Sequence, residues 1–143
     1  MRIIKALFDK LNNAIPIEPP ETGGILGSTD GEVIDYFIPD LPSDTGLHYC
    51  SYKPNVRYFN AKIAEWQERS IQFMGIYHTH FANVKTLSSA DRTYIEQIML
   101  AMPQGIGWLY FPIFTLPERV LTPYIALKCD KSVTIDNDEL IIL

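Results

Sequence analysis

The stretch GIYHTHFANVKTLSSADRTYIEQIM, Gly75 to Met99, decides the fold. Together with the preceding Ile71–Met74, its first half is an apolar, β-branched and aromatic run of strand length. Its second half, continued to Met102, carries Ile95, Ile98, Met99 and Met102 at helical spacing. The expectation is a strand, a short loop and a helix. The chain has three histidines and places two of them, His78 and His80, on that strand. Side chains alternate across a strand, so these two share a face, about 6.6 Å apart along the chain, with Thr79 on the other face.

Two imidazoles so placed can converge on one ion, and Asp91 is placed to be a third ligand. Ser88 or Ser89 is a natural N-cap for the helix that follows. Asp91 then falls in the first turn, and its apolar i+4 and i+7 neighbours, Ile95 and Ile98, turn it toward the sheet. An inward carboxylate without a partner is costly, and a cation removes that cost. Two histidines and one carboxylate, with no cysteine, suit zinc with an open fourth position, the arrangement of a catalytic site. Each feature alone has a plainer reading: paired histidines on an apolar strand satisfied by ordinary hydrogen bonds, an aspartate at the positive end of a helix, serines as caps. Only the joint pattern points to a metal.

Working outward, Ile4, Leu7, Phe8, Leu11 and Ile15 recur at helical spacing, which predicts a one-faced helix over the first fifteen residues, stopped by Pro16. GGILGS and EVIDYFIPD read as two strands beginning near Gly24, joined by a two-residue hairpin turn at Asp30-Gly31. Leu41 to Gly46 reads as a surface loop and LHYCSY as a strand, in which His48 and Cys50 are strand residues rather than a second metal site. A second helix follows, with Val56, Phe59, Ile63 and Trp66 on its buried face. After the third helix, IGWLYFPIF and TPYIALKC read as strands, and SVTIDNDELIIL as one more strand or irregular chain. The order αββ(β)αβαββ predicts an α+β, three-layer-like arrangement, a mixed β-sheet flanked by helices.

The chain has 143 residues, 47% of them hydrophobic and 20% charged, the profile of one globular domain. A net charge of -5 argues against nucleic acid as a main partner, because phosphate binding needs a surplus of Lys and Arg. No apolar run approaches the roughly 20 residues of a membrane-spanning helix, and no signal peptide is evident, so no membrane partner and a cytoplasmic location are expected. Cys50 and Cys129 are read as reduced thiols. A hydrolytic zinc site also needs a general base, and Glu21 in PPETGGILGS is the candidate. It stands between Pro19-Pro20 and Gly23-Gly24, at the mouth of a strand where the backbone can pack closely.

These residues resemble the JAMM (JAB/MPN/Mov34) metalloproteases, of bacterial type, whose pattern is an upstream Glu, then H-[S/T]-H, seven residues, Ser, two residues, Asp. Here it reads Glu21, His78-Thr79-His80, FANVKTL, Ser88, SA, Asp91. The likeness runs from about Pro19 to Met102, with one departure: Phe81 stands where many members have proline. The resemblance implies an MPN/JAB (cytidine deaminase-like) fold for residues 1–143 as one domain. It also implies that His78, His80 and Asp91 hold Zn2+ with water as fourth ligand, that Glu21 moves the proton and that Ser88 donates to the oxyanion. The expected activity is that of an isopeptidase or peptidase, with a C-terminal tail of a ubiquitin-like or sulfur-carrier protein as substrate. The alternatives are an inactive MPN interaction scaffold and a hydrolase of small amides or peptides.

Overall fold

The chain opens on a two-residue strand, β1 (Arg2–Ile3), and only then enters α1 (Lys5–Ala14). The computed structural model describes residues 1–41 and 52–143; the predicted strand at LHYCSY, the loop from 42 to 46, His48 and Cys50 lie outside these, apart from Tyr52. The helix is shorter than its periodicity predicts because Arg2 and Ile3 are taken up by parallel ladders with Val33–Ile34 and Ile141–Ile142, a long-range pairing that local spacing does not encode. Leu7 and Leu11 are its buried stripe.

Next come β2 (Gly23–Ser28), β3 (Val33–Ile34) and β4 (Tyr36–Pro39). The expected single strand EVIDYFIPD is broken at Asp35, since β3 joins β1 while β4 pairs antiparallel with β2. The turn before β3 also exceeds two residues: the Asp30 Oδ1 accepts from the amides of Glu32 and Val33, both at 2.8 Å, with Gly31 at φ +79°. Helix α2 (Val56–Glu68) is capped by the side chain of Asn55, which accepts from the Tyr58 amide. Phe59 and Trp66 are buried as predicted, but Val56 is 56% exposed, being in the first turn at the rim rather than over the sheet.

Strand β5 (Gln72–His80) and helix α3 (Ser89–Ala101) follow as predicted. Beyond them IGWLYFPIF splits into β6 (Trp108–Tyr110) and β7 (Ile113–Thr115), then β8 (Val120–Thr122) and β9 (Tyr124–Cys129). The C-terminal stretch supplies two strands, β10 (Ser132–Asn137) and β11 (Ile141–Ile142). A mixed sheet runs β10-β9-β6-β5-β2-β4, with β7 and β8 branching from β5, and β11-β1-β3 form a small parallel sheet. Both edges of β5 are occupied: β2 on one side, β6 and then β7 on the other.

Two apolar layers sandwich the large sheet. One packs Phe59 and Trp66 of α2 and Ile95 and Met99 of α3 against Ile25, Phe73 and Ile76. The other packs Leu7 and Leu11 of α1 against Leu26, Met74, Tyr77 and Phe114. Phe73 and Ile76 lie three residues apart yet face the same layer, which a regular strand forbids. A β-bulge is the reason: Gly27 pairs with Phe73 and Leu26 with Gly75, so Met74 is an extra residue in β5. Gly75 sits at φ +149°, and a Cβ there would lie 1.9 Å from the carbonyl oxygen of Tyr110; only glycine fits. The bulge resets the alternation so that Ile76, His78 and His80 all face the layer of α2 and α3.

Candidate metal centre

His78 and His80 end β5, and Asp91 stands in the first turn of α3, where Ser88 forms a capping box with it. The Ser88 Oγ accepts from the Asp91 amide at 3.0 Å, and the Ser88 amide donates to Asp91 Oδ2 at 2.8 Å. The box fixes the carboxylate against the strand. His80 Nε2 lies 3.0 Å and His78 Nε2 3.4 Å from Asp91 Oδ2, and the two Nε2 atoms are 2.9 Å apart. All three side chains are buried, and one ligand atom from each lies within 4.8 Å of the others. The Asp91 side chain is therefore turned toward the sheet, as its helical position implies.

The other ring nitrogens are also engaged. His80 Nδ1 is 3.1 Å from the Val84 carbonyl, and His78 Nδ1 is 3.1 Å from the Tyr94 hydroxyl. A carbonyl only accepts, so His80 carries a proton on Nδ1 and turns Nε2 toward the centre, where it donates to Asp91 Oδ2 at 3.0 Å and would offer its lone pair to an ion in place of that proton. Val84 is held by a turn whose central residues, Ala82 and Asn83, both have positive φ, closed by the Val84 amide on the Phe81 carbonyl at 3.2 Å. Phe81 itself is partly buried against the α1-side core and so tethers the start of this loop.

Tyr52 stacks on His78, the ring centroids 6.0 Å apart at an interplanar angle of 11°, and Tyr94 meets it edge-on at 6.0 Å. The stacking needs Gly23 on the neighbouring strand, because a Cβ there would meet the Tyr52 ring at 2.4 Å. The Tyr52 hydroxyl donates to Asp40 at 2.7 Å.

Burial works against a charge on each ring. On His78 it prevails, and the pKa falls below the ordinary histidine value. On His80 it is outweighed by the hydrogen bond and charge of Asp91 and by the charge of Glu21, and the pKa rises. Burial also disfavours the Asp91 carboxylate, but hydrogen bonds from His78 and His80 hold its pKa well below the usual range. The cluster thus keeps a carboxylate beside two imidazoles, all three buried, a donor set that could hold a metal ion.

Glu21 is half-buried rather than a solvated loop carboxylate. Gly23 pairs with His78, and the Thr79 amide donates to the Thr22 carbonyl at 2.9 Å. One residue further, the register brings Glu21 beside His80. Burial, with Asp91 adding to it and His80 opposing, pushes its pKa up to about 7. Thr79 points away from the ligands, is fully buried, and accepts the Thr22 amide on its Oγ1 at 2.8 Å. Tyr52, Tyr94 and the Val84 carbonyl are absent from the sequence-based site. The signal for Tyr94 was its i+3 position after Asp91, on the same helical face.

No protein-family model matches the chain, and no curated protein matches it. Solved structures do. A protein of Desulfitobacterium hafniense has a TM-score of 0.68 at 18% identity, over 99% of this chain and 92% of that one. A protein of Salinibacter ruber has 0.60 at 19%, over 100% and 92%. A JAB1/MPN domain protein of Archaeoglobus fulgidus has 0.57 at 18%, over 100% and 99%. At such identities the likeness shows the fold, which is α+β, a mixed sheet with three helices of the JAB1/MPN type. Among the described residues no helix is long and apolar enough to cross a membrane.

Proposed function

We propose that this chain is a zinc metallopeptidase of the JAMM type, which removes or trims the C-terminal tail of a ubiquitin-like or sulfur-carrier-like protein. The observation that carries this reading is the convergence of His78, His80 and Asp91 within 4.8 Å, with Ser88 bonded to Asp91. His78, His80 and Asp91 would hold the metal. Zinc in such a site lowers the pKa of water to about 7 and polarises the scissile carbonyl.

Glu21 has a pKa of about 7, poised to take a proton from the attacking water and return it to the leaving amine near neutrality. Ser88 uses a lone pair of its Oγ for the helix cap, which leaves its O–H free to donate to the oxyanion. The choice of a protein tail as substrate rests on the match of all five residues to the JAMM pattern. An extended tail has an edge to pair with, since among the described residues β4 pairs with β2 alone.

The test is incubation with ubiquitin-like proteins carrying C-terminal extensions, with and without a chelator. Glu21→Gln abolishes cleavage while zinc stays bound; undiminished turnover in that variant removes Glu21 from the mechanism. Cleavage of short amides but no protein tail moves the activity to small substrates, and a protein that takes up no zinc at neutral pH is a scaffold.

A further inference from the structure

We infer that Tyr94 is a positioning residue for the metal centre: its hydroxyl accepts the His78 Nδ1 proton and so holds the His78 Nε2 lone pair toward the ion. This rests on the reading of His78, His80 and Asp91 as metal ligands. The two histidines are fixed by different means. His80 Nδ1 faces a carbonyl oxygen at 3.1 Å, which can only accept, so that nitrogen keeps its proton whatever fills the site. His78 Nδ1 faces a hydroxyl at 3.1 Å, which can donate or accept. His78 is the more deeply enclosed ring, with no exposure at all, so no solvent stands in for a missing partner.

When Nε2 binds a metal, the proton of neutral His78 must reside on Nδ1, and a buried N–H without an acceptor is costly. Among the described residues Tyr94 is the group in hydrogen-bonding reach of that nitrogen. Tyr52, the other phenol against the ring, stacks on its face and spends its own hydroxyl on Asp40. Tyr94 extends from the same helix as Asp91, one turn further on, so a single helix start supplies a ligand and orients a second ligand on β5. Groups that hold the outer nitrogen of a ligating histidine typically change metal affinity by about 10–100-fold when removed.

The experiment titrates zinc alone against a chromophoric chelator with the full chain, its Tyr94→Phe variant and its His78→Ala variant. The expected result is one zinc per wild-type chain, about 10–100-fold weaker binding for Tyr94→Phe, and loss of binding for His78→Ala. Equal affinity in wild type and Tyr94→Phe overturns the role of Tyr94 and leaves the metal site standing. Failure of the wild type to bind zinc overturns the metal site and this inference together. Should Tyr94→Phe not fold, nitrogen-15 NMR of the zinc-loaded wild type decides. A protected, hydrogen-bonded Nδ1 proton on a His78 that binds through Nε2 supports the assignment, and binding through Nδ1, or a freely exchanging Nδ1 proton, refutes it.

Discussion

Replacing Ser88 with alanine removes two things at once, and the structure allows them to be separated. The first is the cap: the Ser88 Oγ accepts the Asp91 amide at 3.0 Å. Its loss costs about 1 kcal/mol, within a range of about 0.5–2. The return bond of the capping box, from the Ser88 amide to Asp91 Oδ2 at 2.8 Å, is made by the backbone and survives. The second is the hydroxyl proton, which is free for the oxyanion; losing one such donor lowers kcat by about 10²–10³, or about 2.7–4 kcal/mol of transition-state stabilisation. Ser88→Gly discriminates between them, because glycine at an N-cap costs only a few tenths of a kcal/mol yet carries no donor. Urea unfolding of the chelated proteins should rank wild type and Gly above Ala, while cleavage of a tail-extended ubiquitin-like substrate should fall equally in Ala and Gly. Ser88→Thr should retain both properties. If kcat follows stability across the series, or falls less than tenfold in both variants, Ser88 is a cap and nothing more.

Two further substitutions test how the site is supported. Gly75→Ala forces a side chain against the Tyr110 carbonyl at a φ of +149°; backbone strain and overpacking together should cost about 2–6 kcal/mol, read as a lower urea midpoint, and a loss below 1 kcal/mol would show that the bulge relaxes. Thr79→Val keeps the shape but leaves the Thr22 amide without its 2.8 Å acceptor, so kcat should drop at least tenfold with zinc affinity unchanged, and Thr79→Ser should restore it; a parallel loss of zinc would refute the separation.

The cluster of His78, His80 and Asp91 was legible because its spacing is local. His78, His80, Ser88 and Asp91 lie within fourteen consecutive residues, and strand alternation and helix capping decide where each points. Glu21 was singled out by its place between Pro19-Pro20 and Gly23-Gly24 and by the resemblance, but its half-burial was not legible, since that depends on a ladder with a strand that begins some fifty residues later. The Phe73-to-Ile76 phase change escaped periodicity analysis because one extra residue in a strand leaves composition unchanged. The break of IGWLYFPIF into β6 and β7 was hidden for a related reason: both pieces are apolar, and what separates them is which neighbours they pair with, β9 or β8. Tyr94 was open to detection only through its i+3 spacing from Asp91, and nothing in the local sequence of Tyr52 distinguishes a phenol that packs from one that stacks on an imidazole.

The occupied edges of β5 give the two parts of the candidate site unequal footing. The histidines ride on an interior strand clamped by neighbours on both sides, so their geometry is set by the whole sheet and is hard to alter without unfolding it. Glu21 lies one residue beyond the last hydrogen bond that ties β2 to β5, next to the exposed prolines. A substitution at Glu21 therefore disturbs little of the sheet, and one at either histidine disturbs much. Zinc uptake by itself would thus test the histidine and aspartate cluster and leave Glu21 unexamined.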